Sequence, residues 1–388
     1  MKSHPRAKQL SPKQTLLKLR GRGIAWAYKH LAKPHFFARD PEDVHDRMTN
    51  AGSRLGGTAI TRGLTKLAFL YKNAALEQEL LGIHFPNPIG LAAGFDKNAH
   101  LVDIMPSVGF GWMEVGSITA RPCAGNPKPR LQRLPSIEAL VVYYGLMNDG
   151  CDRIKERLQA KRLRIPVGTS IAPTNDEQTM DYRKAIEDYA YSYRELAEIG
   201  SYTTLNLSCP NTCNDQPFID PVRLGELLRA ITAITTSKPI FLKLSPDLTD
   251  AQLDAILEVA KKHGVAGIIC TNLSKKRTSP LLEGLDVPEH GGLSGKVVAE
   301  KSDAMISHIA TRWPGDFIIV GCGGVYSAED AYRKIKLGAS LIQMVTGMIY
   351  QGPQVIGQIN QGLVELLHRD GYHSLHQAVG VDVSKQTT

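Results

Sequence analysis

From about Phe85 onward, short apolar runs rich in β-branched residues alternate with longer stretches whose apolar positions recur at helical spacing. The runs predict strands over Pro88–Gly94, Gly111–Ser117, Pro166–Ile171, Tyr202–Ser208, Pro239–Leu244, Gly267–Asn272, Asp316–Gly321 and Ser340–Val345. Between them, Tyr182–Ile199, Ala251–His263 and Ala328–Leu337 carry the period of amphipathic helices. Eight strands alternating with helices predict an α/β fold, a (β/α)8 TIM barrel closed by right-handed crossovers. An open doubly wound sheet is the second option for the same pattern.

The pattern ahead of the barrel is different. Asp40-Pro41-Glu42-Asp43 has the form of a helix start: an aspartate N-cap, proline in the first turn and acids beside it. Val44, Met48, Ala51 and Leu55 continue at helical spacing to Gly56-Gly57. The chain therefore divides into a basic flexible arm over 1–25, a helical appendage over 26–80 and the barrel over 81–388.

Charge changes the picture mainly at the N-terminus. The formal charge of the 388-residue chain is +8, and no Asp or Glu occurs from Met1 to Arg39, where Lys2, Lys13, Lys18, Arg20, Lys29 and Lys33 are interleaved with Leu16, Leu19, Trp26, Leu31, Phe36 and Phe37. Such a segment suits an anionic membrane surface; a disordered basic tail and a transit peptide share the composition. Nucleic acid is not expected as a partner, since no reading motif follows. No apolar run reaches the ~20 residues that span a bilayer, so a soluble or peripheral protein is expected. The six cysteines are scattered, which suits reduced thiols, and no pair has zinc-like spacing.

In a TIM barrel the chemistry lies at the C-terminal ends of the strands. Those ends carry Lys97, Ser117, Ser170, Asn206 with Cys209 and Asn211, Lys243, Asn272, Gly323-Gly324 and Thr346-Gly347. Amides, lysines and glycines without a metal-type cluster point to a polar organic cofactor. Cys209 is either the reactive group of Asn206-Leu207-Ser208-Cys209-Pro210-Asn211-Thr212 or a buried thiol. The two glycine-bearing ends can bring backbone N–H groups to a phosphate, or merely serve tight turns. Neither nucleotide fingerprint fits: Gly321 to Gly324 lacks the dinucleotide spacing, and Gly291 to Val297 ends in valine where a P-loop needs Ser or Thr.

Several stretches carry a family resemblance: Gly90 to Asn98, Glu114-Val115-Gly116, Gly125 to Leu131, Asn206 to Thr212, Lys243 to Leu248, Thr271-Asn272, Gly291 to Lys296 and Gly338 to Gln343. In order and spacing the chain from about Trp26 resembles the dihydroorotate dehydrogenases of the membrane-associated, quinone-using class. The resemblance implies FMN as cofactor, dihydroorotate as substrate, ubiquinone or menaquinone as electron acceptor, and N-terminal helices forming a quinone entrance. It implies a peripheral position on the cytoplasmic membrane, or on the mitochondrial inner membrane in a eukaryote.

By the same resemblance Cys209 removes a proton from substrate C5 while hydride passes to the flavin, and Lys243 lies near the flavin N1–O2 edge. Lys97 would approach the substrate carboxylate, and Asn206, Asn211, Thr212 and Asn272 would bind the substrate. FMN would be lined by Ala92, Ala93, Gly116, Ser117, Ser170, Asn206, Lys243, Thr271, Gly295, Gly324, Thr346 and Gly347.

The departures lie on the substrate side. Cys209 stands where this class carries serine; a thiol whose acidity is raised by lysine neighbours is a competent base. The pattern Ile-Asn-Arg-Met-Gly-Phe-Asn-Asn reads Val141 to Asn148 here, with Val142 in place of the first asparagine. Ser170 replaces another asparagine, and Leu273 a Thr or Ser. Tyr143, Tyr144 and Ser170 are the polar groups available to compensate. Alternative readings are an FMN oxidoreductase acting on another dihydropyrimidine-like ring, cyclic amide or enone, and a flavin-binding paralogue without turnover.

Overall fold

The structure is a computed structural model that describes residues 12–213 and 216–383. Its centre is a closed parallel barrel of β1 (Ile89–Leu91), β2 (Trp112–Ile118), β3 (Val167–Ile171), β4 (Tyr202–Asn206), β5 (Ile240–Leu244), β6 (Gly267–Cys270), β7 (Ile318–Cys322) and β8 (Leu341–Met344). Every strand lies within or beside an expected segment. Each pairs with its sequence neighbour, and β8 closes on β1 with Ile342 opposite Ile89. The doubly wound alternative is excluded.

The N-terminal end of the barrel is plugged. Trp112, Tyr202 and Phe241 point inward together with Ile269, Val320 and Leu341, and Phe85 caps them from a hairpin of Gln78–Leu80 and Ile83–Phe85. Room for the three large rings comes from glycines on adjacent strands. A Cβ at Gly90 would lie 2.3 Å from the Trp112 ring, and one at Gly168 would lie 2.3 Å from that of Tyr202. Burying each large apolar side chain is worth about 1.5–3 kcal/mol, so this end is a packed core and the open end is left for chemistry.

Two features shape the open end. A three-stranded antiparallel sheet of Leu131–Leu134, Ala139–Val142 and Gly292–Gly295 stands over one side of it, with Val142 opposite both Gly292 and Leu131. The helical appendage closes the other side: α1 (Pro12–Ala27), a π-helical turn at Tyr28–Ala32, α2 (Lys33–Phe37), α3 (Pro41–Gly56) and α4 (Ala59–Phe69). Asp40 caps α3 as expected, its carboxylate accepting from the N–H groups of Glu42 and Asp43.

The expected boundary at residue 25 is not a break, because α1 runs through it. The helix is docked: Lys18 pairs with Glu365 at 2.7 Å, and Arg20 donates to the Leu67 carbonyl at 2.6 Å. Residues 1–11 of the predicted arm lie outside the described residues. The appendage nevertheless keeps an apolar outer face, with Leu19, Trp26, Leu31, Ile60, Leu64 and Leu67 exposed. Among the described residues no helix is long and apolar enough to cross a membrane.

Candidate active site

The strand ends surround a cavity of about 1290 Å³, counted out to its open mouth. Its centre is β4 and the loop that follows. The Asn206 amide donates to Ser117 Oγ at 2.9 Å, and its oxygen accepts from the Asn272 amide at 2.9 Å. Asn272 also donates to the Ser208 carbonyl at 3.0 Å, while Ser208 Oγ donates to the Lys243 carbonyl at 3.0 Å. Four strand ends, those of β2, β4, β5 and β6, are thereby tied into one rigid polar ring, as preorganised sites require.

Cys209 leaves this ring half-buried on the cavity wall. Burial pushes its thiol up to about 11, opposed by the Asn211 N–H bonded to it and, more weakly, by the Lys275 charge. The expected lowering by lysines is thus overruled, because desolvation penalises the thiolate more than these neighbours favour it. Asn211 itself is buried, and its side-chain oxygen has no partner.

Across the cavity, the loop after β1 is pinned by Asp96, whose carboxylate accepts from the N–H groups of His100 and Leu101, each at 2.8 Å. The next residue, Lys97, is buried, and its ammonium lies 3.8 Å from the centroid of the Tyr144 ring. Desolvation lowers Lys97 to about 8, partly offset by Asp46 and Glu42. His45, on α3, packs edge-on against Phe95 at 4.9 Å; burial, with the Lys97 charge behind it, lowers the imidazole to about 3, so it is neutral.

The opposite end is built from backbone. Gly323, Gly324, Thr346, Gly347 and Gly295 line it, and Ser294 Oγ lies 2.9 Å from Thr346 Oγ1. A Cβ at Gly347 would sit 2.0 Å from the Val325 carbonyl, and one at Gly324 would sit 2.3 Å from Ala299 Cβ, so only glycine lets these loops close up. Beside Phe37 at the end of α2 the wall becomes apolar through Leu131, Leu140, Val142 and Ile349.

Most of the residues singled out in the sequence converge here. Ala92, Ala93, Lys97, Gly116, Ser117, Asn206, Cys209 and Asn211 line the cavity, and so do Lys243, Thr271, Asn272, Gly295, Gly324, Thr346 and Gly347. Two do not. Ser170 is fully buried beside the wall, its hydroxyl shared with Ser117 Oγ at 2.9 Å, because β3 turns it toward β2. Thr212 folds back so that its hydroxyl donates to the Cys209 carbonyl at 3.3 Å. Of the possible compensating groups, Tyr144 faces the cavity while Tyr143 packs on His290. Asn214 and Asp215, in the loop beyond Thr212, lie outside the described residues.

Sequence reasoning missed the side chains brought in from elsewhere. His45 carries no motif, Phe95 stood only inside the matching stretch Gly90 to Asn98, and Ser294, Leu131 and Leu140 depend on the antiparallel sheet, whose pairing joins segments some 150 residues apart. Gln343 was visible only as the end of a matching stretch.

The residues present fit FMN. Glycine-rich backbone at one end suits a phosphate, while at the other buried polar atoms of Asn211, Tyr144 and Gln343 lack partners and face a space large enough for a polar ring. Among the described residues no group of three His, Cys, Asp or Glu side chains could hold a metal.

The sequence profile of the dihydroorotate dehydrogenase family matches residues 75–367. "Dihydroorotate dehydrogenase (quinone)" of Natronomonas pharaonis is 41% identical over 353 residues, which cover 91% of this chain and 99% of that protein. The protein of the same name from Gloeobacter violaceus is 40% identical, with 90% and 98% covered. The crystal structure of DHODH in complex with ferulenol from Eimeria tenella superimposes with a TM-score of 0.80 at 29% identity, covering 88% of this chain and 96% of that one. With the barrel, the cavity and these relatives in agreement, the chain belongs to the dihydroorotate dehydrogenase family.

Proposed function

We propose that the chain oxidises dihydroorotate to orotate with FMN as cofactor and passes the electrons to a quinone. The observation that carries this reading is the placement of one thiol, two lysines and a carboxamide ring around a single cavity with an apolar wall beside Phe37 of α2. Bound FMN supplies the hydride acceptor.

The protein's own groups do the rest. Lys97, a buried ammonium with no carboxylate in ion-pair reach among the described residues, receives the substrate carboxylate. The partnerless Asn211 oxygen accepts from a ring N–H. Cys209 Sγ, in the thiolate form that grows more populated as pH rises toward about 11, takes the proton from substrate C5, and Lys243 would hold its positive charge beside bound FMN. The ring of Asn206, Asn272 and Ser208, tied to Ser117 through the Asn206 amide, holds these groups in register. Thr271, Ser117, Ala92, Ala93, Gly116, Gly295, Gly324, Thr346 and Gly347 line the cofactor's place.

The quinone, ubiquinone or menaquinone, would enter between α3 and the antiparallel sheet along Leu131, Leu140, Val142 and Ile349. The exposed apolar face of α1 and α4, flanked by basic residues, would rest on the membrane surface, a peripheral mode of attachment.

A second reading is favoured by one observation: Val142 and Leu273, apolar where the family resemblance leads one to expect polar groups, both line the cavity. The substrate would then be a less polar dihydropyrimidine-like ring. One experiment separates the two. Anaerobic mixing of the yellow protein with dihydroorotate should bleach the flavin absorbance, and a ubiquinone analogue should restore it. A flavin that dithionite reduces but dihydroorotate does not would overturn the first reading in favour of the second.

A further inference from the structure

Gln343 is the polar side chain of β8 that faces the barrel interior, opposite Gly90 on β1 and Cys322 on β7. It lines the cavity together with Lys243 and is 0% exposed. Neither its amide nitrogen nor its amide oxygen has a hydrogen-bond partner. A buried donor and acceptor both left unpaired in one side chain cost more than an isosteric apolar residue would, so a folded protein keeps the pair where something else completes it.

We infer that Gln343 is a recognition residue for the cofactor ring: its side-by-side C=O and NH₂ pair with an amide-type edge, N–H next to C=O, of the FMN pyrimidine ring. The inference rests on the FMN reading above. Position within the site selects the ring. Gln343 and Lys243 lie on strands, at the floor, whereas Cys209, Asn211 and Leu273 lie on the loops above them. A flat ring resting on the floor meets Gln343, and a substrate stacked above it meets the thiol. Asn206 and Asn272 cannot replace Gln343 in this role, because their amides are already engaged with each other, Ser117 and Ser208.

Competition between FMN and N3-methyl-FMN on the full-length protein tests this directly. The wild type is expected to prefer FMN by about tenfold or more, the size of effect that follows when a buried amide loses its partner. Gln343→Leu and Gln343→Met are expected to bind FMN about tenfold more weakly and to lose the preference, with thermal midpoints unchanged or raised, since two unpaired polar atoms are removed. Orotate affinity of the FMN-loaded variants should stay within about twofold of wild type. Variants that hold FMN as tightly as wild type and keep the preference would overturn the inference, and so would a loss confined to orotate binding. A wild-type protein that takes up no FMN would overturn the cofactor reading and this inference with it.

Discussion

The Lys97 ammonium rests 3.8 Å from the centroid of the Tyr144 ring, and the Arg130 guanidinium lies 5.7 Å from the same centroid. Two cations thus share one aromatic ring at the junction of substrate cavity and helical appendage. Such contacts contribute up to about 2 kcal/mol when desolvated, which lets Lys97 stay buried and available to an anion.

Orotate binding should therefore fall as pH rises through about 8. Burial lowers Lys97 to about 8, so its side chain is cationic below that value and neutral above it. An anion favours the cationic form, and affinity should weaken up to about tenfold per unit of pH once Lys97 is neutral. Titrations from pH 7 to 10 should show this, and Lys97→Met should bind weakly with a flat profile.

Cys209→Ala should retain FMN and lose reduction by dihydroorotate by about 10²–10⁴-fold, the usual worth of a positioned base. Because burial holds the thiol at about 11, alkylation of Cys209 by iodoacetamide should be slow at neutral pH and accelerate toward that value. Stopped-flow flavin absorbance and peptide mapping check the two outcomes.

Glu42 and Arg130 form a buried ion pair that joins α3 to the start of the antiparallel sheet, with the Nε contact at 3.2 Å. Glu42→Ala leaves the guanidinium without its anion and should cost about 3–5 kcal/mol in denaturant unfolding. Replacing both partners by Leu and Met should restore most of that loss.

Val142→Asn puts a carboxamide on the cavity wall at the position where the family resemblance leads one to expect it. If dihydroorotate is the substrate, its KM should drop several-fold, since one added hydrogen bond is worth about 0.5–1.5 kcal/mol. Steady-state kinetics with dihydroorotate reads this out.

The outer face of the appendage should govern binding to vesicles. Leu64→Glu with Leu67→Glu, both on the exposed side of α4, should reduce co-sedimentation with anionic liposomes and leave flavin reduction by dihydroorotate intact. Equal sedimentation of variant and wild type would place the membrane contact elsewhere.

The linear sequence by itself determined the barrel, because each strand is a local apolar run and each crossover a local helix, and closure needs only that neighbours pair in order. It also determined most of the strand-end groups: a residue such as Lys243 or Asn206 faces the site simply by ending a strand. Tertiary structure decided everything that depends on distant segments. Val142 reaches the cavity only because its strand pairs with Gly292, and His45 only because α3 docks through Glu42 on Arg130. The thiol of Cys209 is raised rather than lowered because burial, which no spacing reveals, outweighs the lysine nearby. Ser170 is withdrawn from the site by a hydrogen bond to Ser117, and Gln343 gains its importance from the partners it lacks. Packing and solvent exclusion are sums over many contacts from across the chain, so they exist only once it has folded.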